Sequence, residues 1–233
     1  MTQRIFRSAA AMVALFLTIP TAPADAYVPV ATAVTDSVAS GSAALAENAA
    51  AAGLRSEVLE LALKAHARVK AAGGTASDLL TVIDYSLPSR ERRLWVLDTE
   101  TGTVLERELV AHGNKTGGDI ATAFSNRAGS NQSSLGTFVT GKTYVGKHGK
   151  SLRLHGLDEG LNDRAFDRAI VVHGADYVNE GIIGQLGRLG RSQGCPALSP
   201  AASARIIDMI KDGSVVFSYH PSAAADFESI FAS

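Results

Sequence analysis

The chain of 233 residues predicts a mainly β fold, with an amphipathic helix ahead of the strands and one helix after a glycine-rich loop. Three observations carry that expectation. From Leu79 onward, short runs of aliphatic, β-branched and aromatic residues are punctuated by turn residues, the pattern of half-buried strands. Ahead of them, Leu54, Val58, Leu61, Ala62, Ala65 and Val69 recur at helical spacing. After Cys195, Ile206, Ile207 and Ile210 share one face of a second periodic segment.

Taken in chain order, residues 1–26 read as an export signal: Arg4 and Arg7 supply charge, Ala9 to Ile19 is apolar, and Ala24-Asp25-Ala26 is a small-x-small cleavage site. The apolar run is shorter than the roughly 18 residues a bilayer span needs, so no stable membrane insertion is expected after signal removal. Residues 27–52 are dominated by Ala, Ser, Thr and Val, too little burial surface to order itself, and are expected to form a tether. Residues 53–78 supply the amphipathic helix, over 54–72 with Gly73-Gly74 at its cap, and a linker.

Residues 79–220 read as one antiparallel all-β domain. Residues 79–85 form the first run, and 94–98 with 103–105 form a hairpin around Thr99-Glu100-Thr101-Gly102, with Gly102 where positive φ is wanted. Further strands are expected at 136–140, 152–155, 169–173 and 215–219, and Pro200 to Lys211 should be the single helix of the domain. Residues 113–134, rich in Gly, Asn and Ser, are too long for a plain connection, and loops of that length often border a binding site. Residues 221–233 are a C-terminal tail.

Composition narrows the function. Lys and Arg number 22 against 23 Asp and Glu, and no stretch gathers enough positive charge to draw a polyanion, so nucleic acid is not an expected partner. The single cysteine has no partner for a disulfide, and in an exported protein it is either a reactive thiol or a buried bystander. A free thiol with a pKa of about 8.5 is mostly protonated at pH 7, so a nucleophilic cysteine needs a neighbouring base or cation.

The candidate base is His173, which ends the apolar run Ala169-Ile170-Val171-Val172 and precedes Gly174. The candidate nucleophile, Cys195, sits in Arg191-Ser192-Gln193-Gly194-Cys195-Pro196, inside a glycine-rich stretch that is free to turn sharply. The N–H groups of Gly194 and Cys195 are expected to face a developing oxyanion, and Ser192 to hydrogen-bond the thiol or the imidazole. Arg188 and Arg191 add positive potential, which favours a thiolate and a carboxylate-bearing substrate. Two rival readings stand beside this one. His112, His155 and His173 are conceivable zinc ligands, but no His-x-His or His-Glu-x-x-His spacing occurs, and neither a metal nor any other cofactor is expected. A non-catalytic binding protein with an inert, buried Cys195 is the other.

The motifs Val171-Val172-His173-Gly174-Ala175 and Arg191-Ser192-Gln193-Gly194-Cys195-Pro196-Ala197-Leu198 resemble those of the L,D-transpeptidase catalytic domain, or YkuD domain, in a divergent branch of the family. Ser133-Ser134-Leu135-Gly136-Thr137-Phe138 is similar to its Thr-Pro-x-Gly-x-Phe strand, and Arg153-Leu154-His155-Gly156-Leu157 to a strand lining its cleft. The resemblance, over residues 79–220, implies a β-sandwich enzyme acting on peptidoglycan stem peptides, periplasmic or associated with the cell wall. It implies that Cys195 is acylated at the third stem residue with release of D-Ala, and that the acyl group passes to an amine of another stem or a D-amino acid; passage to water, which makes the same Cys/His site a murein peptide hydrolase, is the alternative. It also puts His155, Gly174 and Gln193 near substrate. Gln193 stands where His or Arg is usual, and Ala197 where Asn or Arg is common.

Overall fold

The structure is a computed structural model and describes residues 42–232. The expected export signal and the first part of the expected tether lie outside the described residues. The remainder of that tether is ordered: residues 42–51 form helix α1. Leu45 and Ala49, one turn apart, are buried in the main core, and the Asn48 side chain donates to the Gly102 carbonyl at 2.8 Å. Composition pointed the other way because alanine contributes little area of its own, yet alanine is also the best helix former and packs closely. Leu45→Ala is therefore expected to lower stability by about 2–3 kcal/mol in urea unfolding; a change near zero would return this segment to a tether.

Helix α2 (Ser56–Ala71) carries the predicted stripe, with Val58, Ala62, Ala65 and Val69 buried, Glu57 in its first turn, and Arg68 and Lys70 in its last, matching the helix dipole at both ends. It lies on strands β1 (Leu79–Asp84) and β8 (Val215–Tyr219). Its neighbour Arg55 pairs with the buried carboxylate of Asp84, and Arg68 pairs with that of Asp158. Strands β2 (Arg92–Asp98) and β3 (Thr103–Leu109) make the expected hairpin, and Gly102 sits at φ +73° in its turn. Strand β4 (Gly136–Gly146) and strand β5 (Gly149–Gly156) form a longer hairpin than the sequence predicts, and β6 (Val171–Gly174) follows.

All eight strands form one sheet in the order β3-β2-β1-β8-β4-β5-β6-β7, where β7 is Ala197–Leu198. Its ends meet, because Ala111, just past β3, exchanges backbone hydrogen bonds with Ala197 of β7. The sheet is thus nearly closed around the core, the single-ladder form of the expected sandwich. It is not purely antiparallel: β1 pairs with β8, and β6 with β7, in parallel.

A parallel neighbour requires a crossover of a dozen or more residues. Between β6 and β7 that crossover runs over residues 175–196 and includes a short helix, α3 (Glu180–Leu186), absent from the sequence expectation. Asn179 caps α3, but Gly181 and Gly184 inside it mask the helical signal. Helix α4 (Pro200–Ile210) is the predicted one, capped by Ser199, and its Arg205 reaches across to Glu106 and Glu108 of β3. The C-terminal tail is also helical, as α5 (Ala224–Phe231), with Phe227 buried against Phe217. Among the described residues, no helix is long and apolar enough to cross a membrane.

Candidate active site

The register of β6 against β7 builds the site. His173 pairs directly with Ala197, so Cys195, two residues before Ala197, lies on the same side of the pleat as the residue facing His173. Both side chains open into one cavity of about 480 Å³. His173 Nδ1 donates to the carbonyl of Gly174 at 2.9 Å. A carbonyl only accepts, so Nδ1 carries the ring proton and Nε2 is left as the base. The ring of His148, from the β4–β5 turn, stacks on His173 with centroids 4.4 Å apart.

The electrostatics favour a neutral pair at rest. Burial pushes the Cys195 thiol above its ordinary value, against the opposing pull of the Val171 N–H and the cations Arg168 and Lys147. Burial likewise pushes His173 down, with His148 and Lys147 lowering it further and the Gly174 carbonyl opposing. Such an arrangement can hold a protonated thiol beside a neutral imidazole that is able to accept a proton. The thiol itself lies 3.7 Å from the carbonyl of Ala169, a non-glycine residue held at φ +54°.

The turn that presents Cys195 is braced from both sides. Ser192 accepts the Gly194 N–H at 3.0 Å and donates to the Cys195 carbonyl at 2.6 Å, so it bonds neither thiol nor imidazole as expected. The Gly194 N–H is thereby committed, and of the two expected oxyanion donors only that of Cys195 is left without a partner among the described residues. Gly194 sits at φ +122°, and a Cβ there would fall 2.8 Å from the Gln132 carbonyl, so no other residue fits. Residues 111–114 clamp the turn through Ala111 to Ala197, His112 to Ser192 and Asn114 to Ser192. Ser133 bridges the Gly113 N–H and the Gly194 carbonyl.

The remaining sequence candidates divide. Gln193 and Arg191 line the cavity with Cys195; Arg191 also donates to the carbonyls of Gly117 and Asn114, tying the long loop to the Cys195 turn. Arg188 does not line it, and its guanidinium bonds the adjacent Leu189 carbonyl. Gly174 serves through its carbonyl, its Cα packed against Ser203. His155 does not line the cavity: it shares the sheet face of Val171 and His173 but lies farther along β5, where it stacks on Phe166 at 4.8 Å. His112 is buried against Arg93, so the three histidines weighed as zinc ligands are dispersed. Among the described residues no group of three or more His, Cys, Asp or Glu gathers where it could hold a metal ion.

Sequence reasoning missed the cationic wall. Arg168 lines the cavity and bonds the Ser125 and Gln132 carbonyls and the Ser130 and Ser134 hydroxyls, holding the 113–134 loop beside the thiol. Lys147 and His148 enter from the β4–β5 turn, and Tyr144 and Tyr177 complete the walls. A lone arginine before an apolar strand and a lysine in a turn are generic patterns, and nothing in the sequence singles these out.

A model of the L,D-transpeptidase catalytic domain matches residues 50–219. No curated protein matches the chain. Among solved structures, an L,D-transpeptidase from Mycobacterium smegmatis is 18% identical, with 62% of this chain and 59% of that one covered and a TM-score of 0.39. One from Xylanimonas cellulosilytica is 20% identical over 62% of each chain, with a TM-score of 0.36. L,D-transpeptidase 3 from Mycobacterium tuberculosis, carrying a faropenem-derived adduct, is 15% identical over 61% of this chain and 60% of that one, with a TM-score of 0.37. The chain thus spans about three fifths of the length of these proteins.

Proposed function

The chain belongs to the L,D-transpeptidase catalytic domain family, and from that membership we propose that it is a peptidoglycan-remodelling cysteine acyltransferase. Cys195 Sγ attacks the carbonyl of the third residue of a stem peptide, with meso-diaminopimelate as the expected residue, and the thiol proton passes to His173 Nε2. The carbonyl oxygen, now negative, faces the free N–H of Cys195. As the tetrahedral intermediate collapses, the C–N bond breaks, Nε2 returns its proton to the departing amine, and D-Ala leaves. A thioester remains on Cys195. An amine then attacks it, giving a 3-3 cross-link or exchange for a D-amino acid. Such a reaction takes place outside the cytoplasm, where the export signal read at residues 1–26 would deliver the protein.

The observation that supports the reading is the pairing of His173 with Ala197, beside a cavity lined by both His173 and the chain's only cysteine. Incubation with a carbapenem, whose strained ring acylates an activated thiol, tests it by intact mass. One covalent adduct is expected on the native protein and none on Cys195→Ala; an adduct on both, or on neither, overturns the proposal.

A further inference from the structure

The cavity around Cys195 has a one-sided charge: Lys147, His148, Arg168 and Arg191 line it, and no Asp or Glu does. These cations are not equivalent. Arg168 uses its guanidinium on four acceptors of the loop, and Arg191 holds the carbonyls of Asn114 and Gly117. Lys150, three residues along, is paired with Asp208. The ammonium of Lys147 meets no acceptor among the described residues. It sits next to His148, whose ring covers His173, and its charge is felt at both His173 and Cys195.

Resting on the acyl-transfer reading of Cys195, we propose that Lys147 recognises a carboxylate borne on the same carbon as the reacting amine. The acceptors this site takes are then α-amino acids with a free carboxylate, and amines whose neighbouring carboxylate is amidated or absent are rejected. The chemistry of the two half-reactions leads there. His173 protonates the leaving amine, so that nitrogen lies at Nε2. The α-carboxylate of D-Ala is two bonds away from it, within reach of the cavity wall that Lys147 and His148 form beside His173. By microscopic reversibility the attacking amine enters where the leaving one departed. Its nitrogen forms a bond to the thioester carbonyl, the C–S bond breaks, the sulfur leaves as thiolate, and the amine proton passes to Nε2. A carboxylate on the α-carbon of that amine again falls beside Lys147. Lys147 and His148 also wall a neighbouring cavity lined by Lys150, Gly174, Asp176, Tyr177 and Ser203.

The test gives the enzyme a tetrapeptide donor, with D-methionine or D-methioninamide as acceptor, and measures each exchange product by mass spectrometry. The amide has the less basic amine, so more of it is unprotonated at neutral pH, and solution chemistry gives the acid no advantage. The native enzyme is expected to use the acid about tenfold faster, the size of one partly exposed charge-assisted contact. Lys147→Met is expected to bring the ratio near one, and Lys147→Arg to keep most of it. If Lys147 acts only by favouring the thiolate, both rates fall together and the ratio stays, which overturns the assignment, as do equal rates in the native enzyme. Absence of any thioester on Cys195 overturns the acyl-transfer reading together with this one, whereas a thioester followed by equal rates overturns only the role of Lys147.

Discussion

Replacing His173 with Ala is expected to slow acylation of Cys195 about a thousandfold, the range a positioned general base contributes. The size of the effect follows from the neutral resting pair. In a cysteine enzyme with a preformed thiolate, loss of the imidazole removes a counter-ion; here burial favours a protonated thiol and an unprotonated imidazole, so loss of His173 removes the base proposed to take the proton. Gln193→Ala, exposed on the rim, is expected to change the rate less than about threefold. Adduct formation with saturating carbapenem, followed by intact mass over time, reads both. Because His173 must be neutral to act and burial lowers its pKa, the acid limb of the rate should inflect below the ordinary histidine value of 6.5. An inflection above 6.5, or a His173→Ala enzyme acylated at the native rate, removes His173 from the mechanism.

The second large effect concerns stability in acid. His112 is fully buried beside the equally buried guanidinium of Arg93, whose Nη2 donates to its Nδ1 at 2.8 Å. Burial, reinforced by that positive charge, pushes the imidazole down to about 4. In the unfolded chain the same ring titrates near 6.5, so between the two values the unfolded state binds a proton the folded state refuses. Stability from this group is intact above pH 6.5 and is lost as pH falls toward 4, by about 3 kcal/mol at the lower end. His66, His173 and His220 are also lowered, first by burial, and act in the same direction. Urea unfolding at pH 7 and pH 4 should show the loss in the native protein, and His112→Gln, which keeps an acceptor for Arg93, should lose about 3 kcal/mol less over that interval. Identical pH dependence in the two proteins would mean that His112 is protonated in the folded state.

The position of His112 gives its titration a local consequence. Its carbonyl accepts the Ser192 N–H at 2.9 Å, and Arg93 donates to the Val110 carbonyl two residues before it. Protonation would set two cations against each other directly behind the segment that clamps the Cys195 turn.

Much of this protein was legible from the order of its residues. Runs of aliphatic, β-branched and aromatic residues bounded by turn residues located most strands, several of which, such as β1 and β8, are buried along nearly their whole length. Spacing found α2 and α4, since a helix buries one stripe. A lone cysteine in a glycine-rich turn and a histidine ending an apolar strand singled out the two groups proposed to react, and both line one cavity. Alternation puts His155 on the same face as His173, and only its distance along β5 keeps it from the cavity lining. Other features have no local signature. The burial of α1 depends on Trp95, whose indole donates to the Ala52 carbonyl from another part of the chain. The commitment of Gly194 N–H to Ser192, the clamp by residues 111–114 and the arrival of Lys147 and Arg168 all join segments far apart in sequence. Above all, the parallel pairing of β6 with β7 was decided only by the tertiary structure. A strand's residues state which faces it will bury, whereas its partner and register are set by how the whole sheet closes, and it is that register which puts Cys195 and His173 on one cavity.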